Sequence, residues 1–134
     1  MPTARNRSVD LNNRDPKLTA LMFNECINAR DLEGLVALMS DDHTFVDRND
    51  DRHAGKDRMR RGWKDFFDEF PDYRNTFDRI QSRGDLVVML GYAEWEAGGE
   101  RDHVLWTARI QDDLVAEWRV ISDTGAHREQ LGLT

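Results

Sequence analysis

Residues 28–50 read NARDLEGLVALMSDDHTFVDRND, and the succession of helix, turn and strand within them decides the fold. Asn28, Ala29 and Arg30 close one helix, and Asp31 can cap a second that carries Leu32, Leu35, Val36, Leu38 and Met39 at helical spacing to about Ser40. Phe45 and Val46 then open a buried strand, and Asp47 stands where a third apolar residue would continue it. Strand alternation places His43, Phe45 and Asp47 on one face, with Thr44 and Val46 on the other. Two readings of Asp47 follow. It caps the loop NDDRHAGK through backbone amides, or it points into a pocket beside Phe45, where burial would raise its pKa and give it useful basicity.

Upstream, Asp15-Pro16 reads as an N-cap followed by the first helical residue. The helix should run to about Arg30, with Leu18, Leu21, Met22, Cys26 and Ala29 on its apolar face and Cys26 a buried, inert thiol. Residues 1–14 show no apolar period and are expected to form a flexible arm, leaving 15–134 as a single domain. Downstream, HAGKD breaks the chain before KDRMRRGWKDFFDEF, which sets Met59, Trp63, Phe66, Phe67 and Phe70 at helical spacings and ends at Pro71.

The remainder alternates. YRNTFDRI, DLVVMLGYAEWE, HVLWTARI and LVAEWRVI are strands separated by the turn signals SRGD, AGGERD and QDD. Val104, Trp106, Ala108 and Ile110 share one face of their strand, as Leu114, Ala116, Trp118 and Val120 do of theirs. LVVML, residues 86–90, is apolar on both faces, for which a partner subunit is the simplest cover. Helices first and a meander afterwards predict an α+β domain with its helices on one face of the sheet.

A length of 134 residues with 39% apolar and 34% charged side chains describes one globular domain. The net charge of −7 argues against nucleic acid or an anionic membrane as partner, all the more because residues 1–14 are themselves basic. No apolar run approaches a membrane span, and no export signal opens the chain. A lone Cys26 cannot form an internal disulfide, which fits a cytoplasmic location. The four histidines form no metal-ligating pair on one element, so neither metal nor cofactor is expected.

Over about residues 17–123 the chain resembles the nuclear transport factor two-like superfamily, in its SnoaL-like bacterial branch. The resemblance rests on NARDLEGLVALMSDD (28–42), TFVD (44–47), Gly55 before the third helix and LVAEWRVISD (114–123). It implies a cone-shaped, cystatin-like curved antiparallel sheet wrapped around the N-terminal helices and opening to an apolar pocket, commonly in a homodimer. In the ketosteroid isomerase branch the aspartate at the position of Asp47 is the general base. The two oxyanion donors of that branch fall at Phe23, which can donate nothing, and at Trp106, which has only a neutral indole N–H. Where SnoaL-like cyclases commonly place their acid, this chain has Arg119, and the Arg83-Gly84-Asp85 spacing, set against the aspartate–arginine–aspartate set of the related limonene epoxide hydrolase, falls in a hairpin turn.

Asp47 and His43 are therefore the candidate proton-transfer pair. Phe23, Phe45, Trp63, Trp95, Trp106, Trp118 and His53 are the candidate contacts for a small apolar organic ligand, since an aromatic cavity with one carboxylate suits such a site. The activity expected is an isomerisation, cyclisation or dehydration with Asp47 as general base. The alternative is a non-catalytic ligand-binding or protein-interaction module of the same fold.

Overall fold

The computed structural model describes residues 14–133. The expected flexible arm lies outside them except for Arg14, which is held in place. Its backbone N–H donates to Asp113 Oδ1 at 3.0 Å and its guanidinium to Thr19 Oγ1 and the Asp113 carbonyl at 2.7 and 2.8 Å.

Helix α1 (Pro16–Ala29) starts as its sequence suggests, with the Asp15 carboxylate accepting from the Lys17 amide and proline in the first turn. Arg30 follows in the left-handed region at φ 59° and reverses the chain, and Asp31 caps α2 (Leu32–Ala37) by accepting from the Gly34 amide. The buried face of α1 is Thr19, Ala20, Phe23, Asn24 and Ile27. Leu18, Leu21 and Met22, expected inside, are exposed at 48, 40 and 36%. Two apolar stripes run along this helix, and the aromatic one faces the sheet.

Helix α2 stops at Ala37, so Met39 and Ser40 begin β1 (Met39–Val46) instead of ending a helix. The segment expected as a break contains β2 (Arg52–Ala54), which pairs with β1 so that Phe45 faces His53 across the ladder. After α3 (Lys56–Glu69) come β3 (Arg74–Arg83), β4 (Leu86–Glu94), β5 (Arg101–Gln111) and β6 (Leu114–Ser122). The six strands form one curved, unclosed sheet in the order β2-β1-β6-β5-β4-β3. The fold is thus the α+β, cystatin-like one expected, with one departure: β1 joins β6 in parallel. A short helix α4 (Gly125–Gln130), unread in the sequence, follows β6.

Curvature has a local cause in β3. The ladder to β4 skips a residue between Phe77 and Arg79, and opposite this bulge Gly91 lets the backbones close up: a Cβ there would sit 1.9 Å from the Thr76 carbonyl oxygen. The concave face carries Val87, Met89, Val104, Trp106, Ala108 and Trp118, packed against α1 and α3. On the convex face Val88, Leu90 and Leu105 form a second cluster with Leu133, flanked by Leu86, Ile121 and Leu131. The two-sided apolarity of LVVML is therefore covered in part by the chain's own C-terminal segment. A bidentate pair of Arg128 with Asp123, at 2.6 and 2.8 Å, and a Thr124 N-cap fix that segment in place.

Candidate functional site

Between α3, the concave sheet and the β1–β2 turn lies a cavity of about 470 Å³. Its walls are aromatic because the apolar faces of four elements converge on it: Trp63 and Phe66 from α3, Phe45 from β1, Trp106 from β5 and Trp118 from β6. Trp95 stands at the rim, 39% exposed, packed edge-on against Phe66, Phe70 and Tyr73. Of the residues expected at a site, Asp47, Phe45, His53, Trp63, Trp95, Trp106 and Trp118 all line this cavity.

Phe23 and His43 are not part of that wall. Phe23 is fully buried in the layer behind, its ring 4.7 Å from that of Trp118, and so backs the wall without lining it. His43 is fully buried too, with Nδ1 donating to the Val115 carbonyl at 2.6 Å where the β1–β6 register shifts. His43 lies deeper in the core than Phe45, its ring 5.8 Å from that of Phe23, and so sits behind the cavity wall. Burial pushes the His43 pKa down, and its Nε2 has no partner among the described residues.

The histidine that meets Asp47 is His53. Asp47 Oδ1 accepts from the Asn49 and Asp51 amides at 2.9 and 3.1 Å, while Oδ2 faces His53 Nε2 at 3.0 Å. Arg58 Nη2 lies 3.2 Å from His53 Nδ1. A guanidinium can only donate, so Nδ1 is the acceptor and the imidazole proton sits on Nε2, directed at the carboxylate. Both readings of Asp47 thus hold at once: it caps the turn and it lines the cavity. The expected rise of its pKa is reversed. The hydrogen bond from His53, with the two amides, outweighs desolvation and holds the carboxyl below its ordinary value.

Several polar groups of the site went unread in the sequence. Asp102 on β5 accepts at Oδ2 from Arg48 at 2.7 Å and from the Trp95 indole at 3.2 Å, closing one side of the mouth. Tyr73 and Asn75 also line the cavity. Burial, with Asp102 nearby, pushes the Tyr73 phenol up, so it is protonated at neutral pH and able to donate. The signal for both was present in YRNTFDRI: alternation back from Phe77 puts Asn75 and Tyr73 on the inward face. Among the described residues no group of three or more His, Cys, Asp or Glu is arranged to hold a metal ion.

Solved structures share this architecture at low identity. A protein provisionally assigned as a SnoaL-like polyketide cyclase from Shewanella putrefaciens CN-32 is 14% identical, with a TM-score of 0.72 over 100% of this chain and 96% of that one. One provisionally assigned as a ketosteroid isomerase from Kribbella flavida DSM 17836 is 20% identical, with a TM-score of 0.68 over 87% of this chain and 86% of that one. A computationally designed 17-OHP binder is 19% identical, with a TM-score of 0.70 over 83% of this chain and 93% of that one. No curated protein sequence matches the chain. The model of the SnoaL-like domain matches residues 20–127, and the chain belongs to that family.

Proposed function

We propose that the protein takes a small, mostly apolar organic molecule into the 470 Å³ cavity and that Asp47, ionised and paired with His53, is the base for a proton transfer on it. The observation that carries this is the placement of the Asp47–His53 carboxylate–imidazole pair at the mouth of a mostly apolar chamber that Arg48, Arg58 and Asp102 also border. A depressed pKa makes Asp47 a weak base. A weak base suffices where the developing enolate oxygen is stabilised, and the protonated Tyr73 phenol is the donor in this wall for that purpose. The reaction class is proton abstraction beside a carbonyl, as isomerisation, cyclisation or dehydration requires. The designed 17-OHP binder of similar fold supports the choice of a ring compound as ligand.

Deuterium uptake tests the proposal without knowledge of the natural substrate. A ring ketone such as 1-tetralone, held in D₂O with the protein, should exchange the hydrogens beside its carbonyl faster than in buffer alone. Asp47→Asn should remove the acceleration. Binding of the ketone without accelerated exchange would leave a binding module. That second reading is favoured by one feature, the three hydrogen bonds already accepted by the Asp47 carboxylate.

The assembly we propose is a homodimer through the convex face, seated around the half-buried Leu86, Ile121 and Leu131 at the edge of the second apolar cluster. Light scattering that gives the 15.6 kDa monomer mass at micromolar concentration would contradict it. A cytoplasmic location is proposed on the lone cysteine, Cys26.

A further inference from the structure

Among the described residues, four side chains that carry a full charge border the cavity: Asp47, Arg48, Arg58 and Asp102. Three of them are matched. Arg48 meets Asp102 at 2.7 Å, and the Asp47 carboxylate accepts from two amides and from His53. Arg58 is different: no carboxylate among the described residues pairs with its guanidinium, which meets only the neutral ring of His53, Nη2 to Nδ1 at 3.2 Å. Asp47 lies on the far side of that ring, so the two opposite charges do not touch.

Arg58 projects from the first turn of α3 and is exposed, so the rest of its guanidinium is open to a molecule at the mouth. A guanidinium has five N–H donors in a planar fork and keeps its charge at any physiological pH. One donor is used on His53, and that contact holds the side chain at the mouth, so an incoming anion meets a cation already in place. With a net charge of −7 the protein's overall field opposes an anion, and a preference for one has to come from a local cation. A single unmatched cation, with the Asp47 carboxylate just beyond His53, suits a planar monoanion better than a phosphate dianion.

We infer that Arg58 is a specificity-determining residue that pairs with a carboxylate on the ligand. The molecule taken in is then a ring compound bearing an acid group, with its apolar body against the aromatic wall and its carboxylate at the mouth. This rests on the cavity being the ligand site, as proposed above, and adds the charged group that the site selects.

Calorimetry with 5,6,7,8-tetrahydro-2-naphthoate, its uncharged carboxamide and 1-tetralone tests it. At low salt the carboxylate should bind about fivefold more tightly than the carboxamide, the scale of one well-formed ion pair open to solvent, and the advantage should shrink as salt is added. Arg58→Gln should level the two affinities by weakening the carboxylate alone, and Arg58→Lys, which keeps the charge but not the fork, should retain part of the difference. If the carboxylate binds no better than the carboxamide in the wild type while 1-tetralone binds, the inference is overturned and the cavity remains a ligand site. A carboxylate advantage that survives undiminished in Arg58→Gln overturns it equally. If none of the three compounds binds, the cavity reading falls and this inference falls with it.

Discussion

Asp47 Oδ2 and His53 Nε2 stand 3.0 Å apart, joining the end of β1 to β2 across a tight turn at the mouth of the cavity. The contact fixes the turn that carries both residues, and it fixes the proton on the histidine. Asp47→Asn can still accept from the Asn49 and Asp51 amides, but it turns an N–H₂ toward an N–H that Arg58 prevents from moving. Thermal melts should show a loss of about 1 kcal/mol, the scale of one net hydrogen bond. Unchanged stability would show that His53 does not hold the turn. The Asp47 pKa is depressed in the fold, so its contribution is complete above its unfolded value of 3.8 and is lost as pH falls through the lower folded value.

His43 gives stability a second dependence on pH. Burial lowers its pKa below 6.5, so between the two values the unfolded chain holds a proton that the folded chain does not. Stability is complete above 6.5 and falls as pH drops from there toward the folded value. His43→Asn keeps an N–H in reach of the Val115 carbonyl and carries no titrating group. Melting temperatures taken across that interval should flatten in the variant, and a wild-type curve already flat there would contradict the assignment.

Gly91 permits the close approach at the β3 bulge. Gly91→Ala drives a methyl group against the Thr76 carbonyl, which as backbone cannot rotate away. Denaturant unfolding should show a loss of roughly 1–3 kcal/mol, the usual range for overpacking.

The C-terminal helix is expected to shield the convex face. Arg128→Ala breaks its bidentate pair with Asp123 and should loosen Leu131 and Leu133 from Val88, Leu90 and Leu105. Amide exchange in residues 125–133 should then accelerate while the amides of β5 stay protected. Equal protection in variant and wild type would show that the pair does not anchor the segment.

The inward face of β5 was legible because it is a clean alternation with Trp106 at its centre. On β6 the alternation holds at Trp118 and Val120, whereas a register shift puts the fully buried Val115 in the core in place of Leu114 and Ala116. Helix α1 was misread because Leu18, Leu21 and Met22 form a stripe as periodic as Ala20, Phe23 and Ile27, and periodicity alone does not choose between two apolar faces. The partnership of Asp47 with His53 was hidden in a three-residue strand too short to show alternation, whereas His43 attracted attention by lying on the same strand. Cover from α4 went unseen because its six residues, GAHREQ, give no apolar period, and the leucines that pack follow the helix.

The central claim is that the aromatic chamber is a ligand site, and the indole N–H resonances of the four tryptophans report on it directly. On titration with 1-tetralone, the Trp63 signal should shift and saturate, since its ring forms part of the cavity wall. Trp95, exposed at the rim and already bonded to Asp102, should move less. Four signals that stay still, or that drift together in proportion to added compound without saturating, would contradict the account.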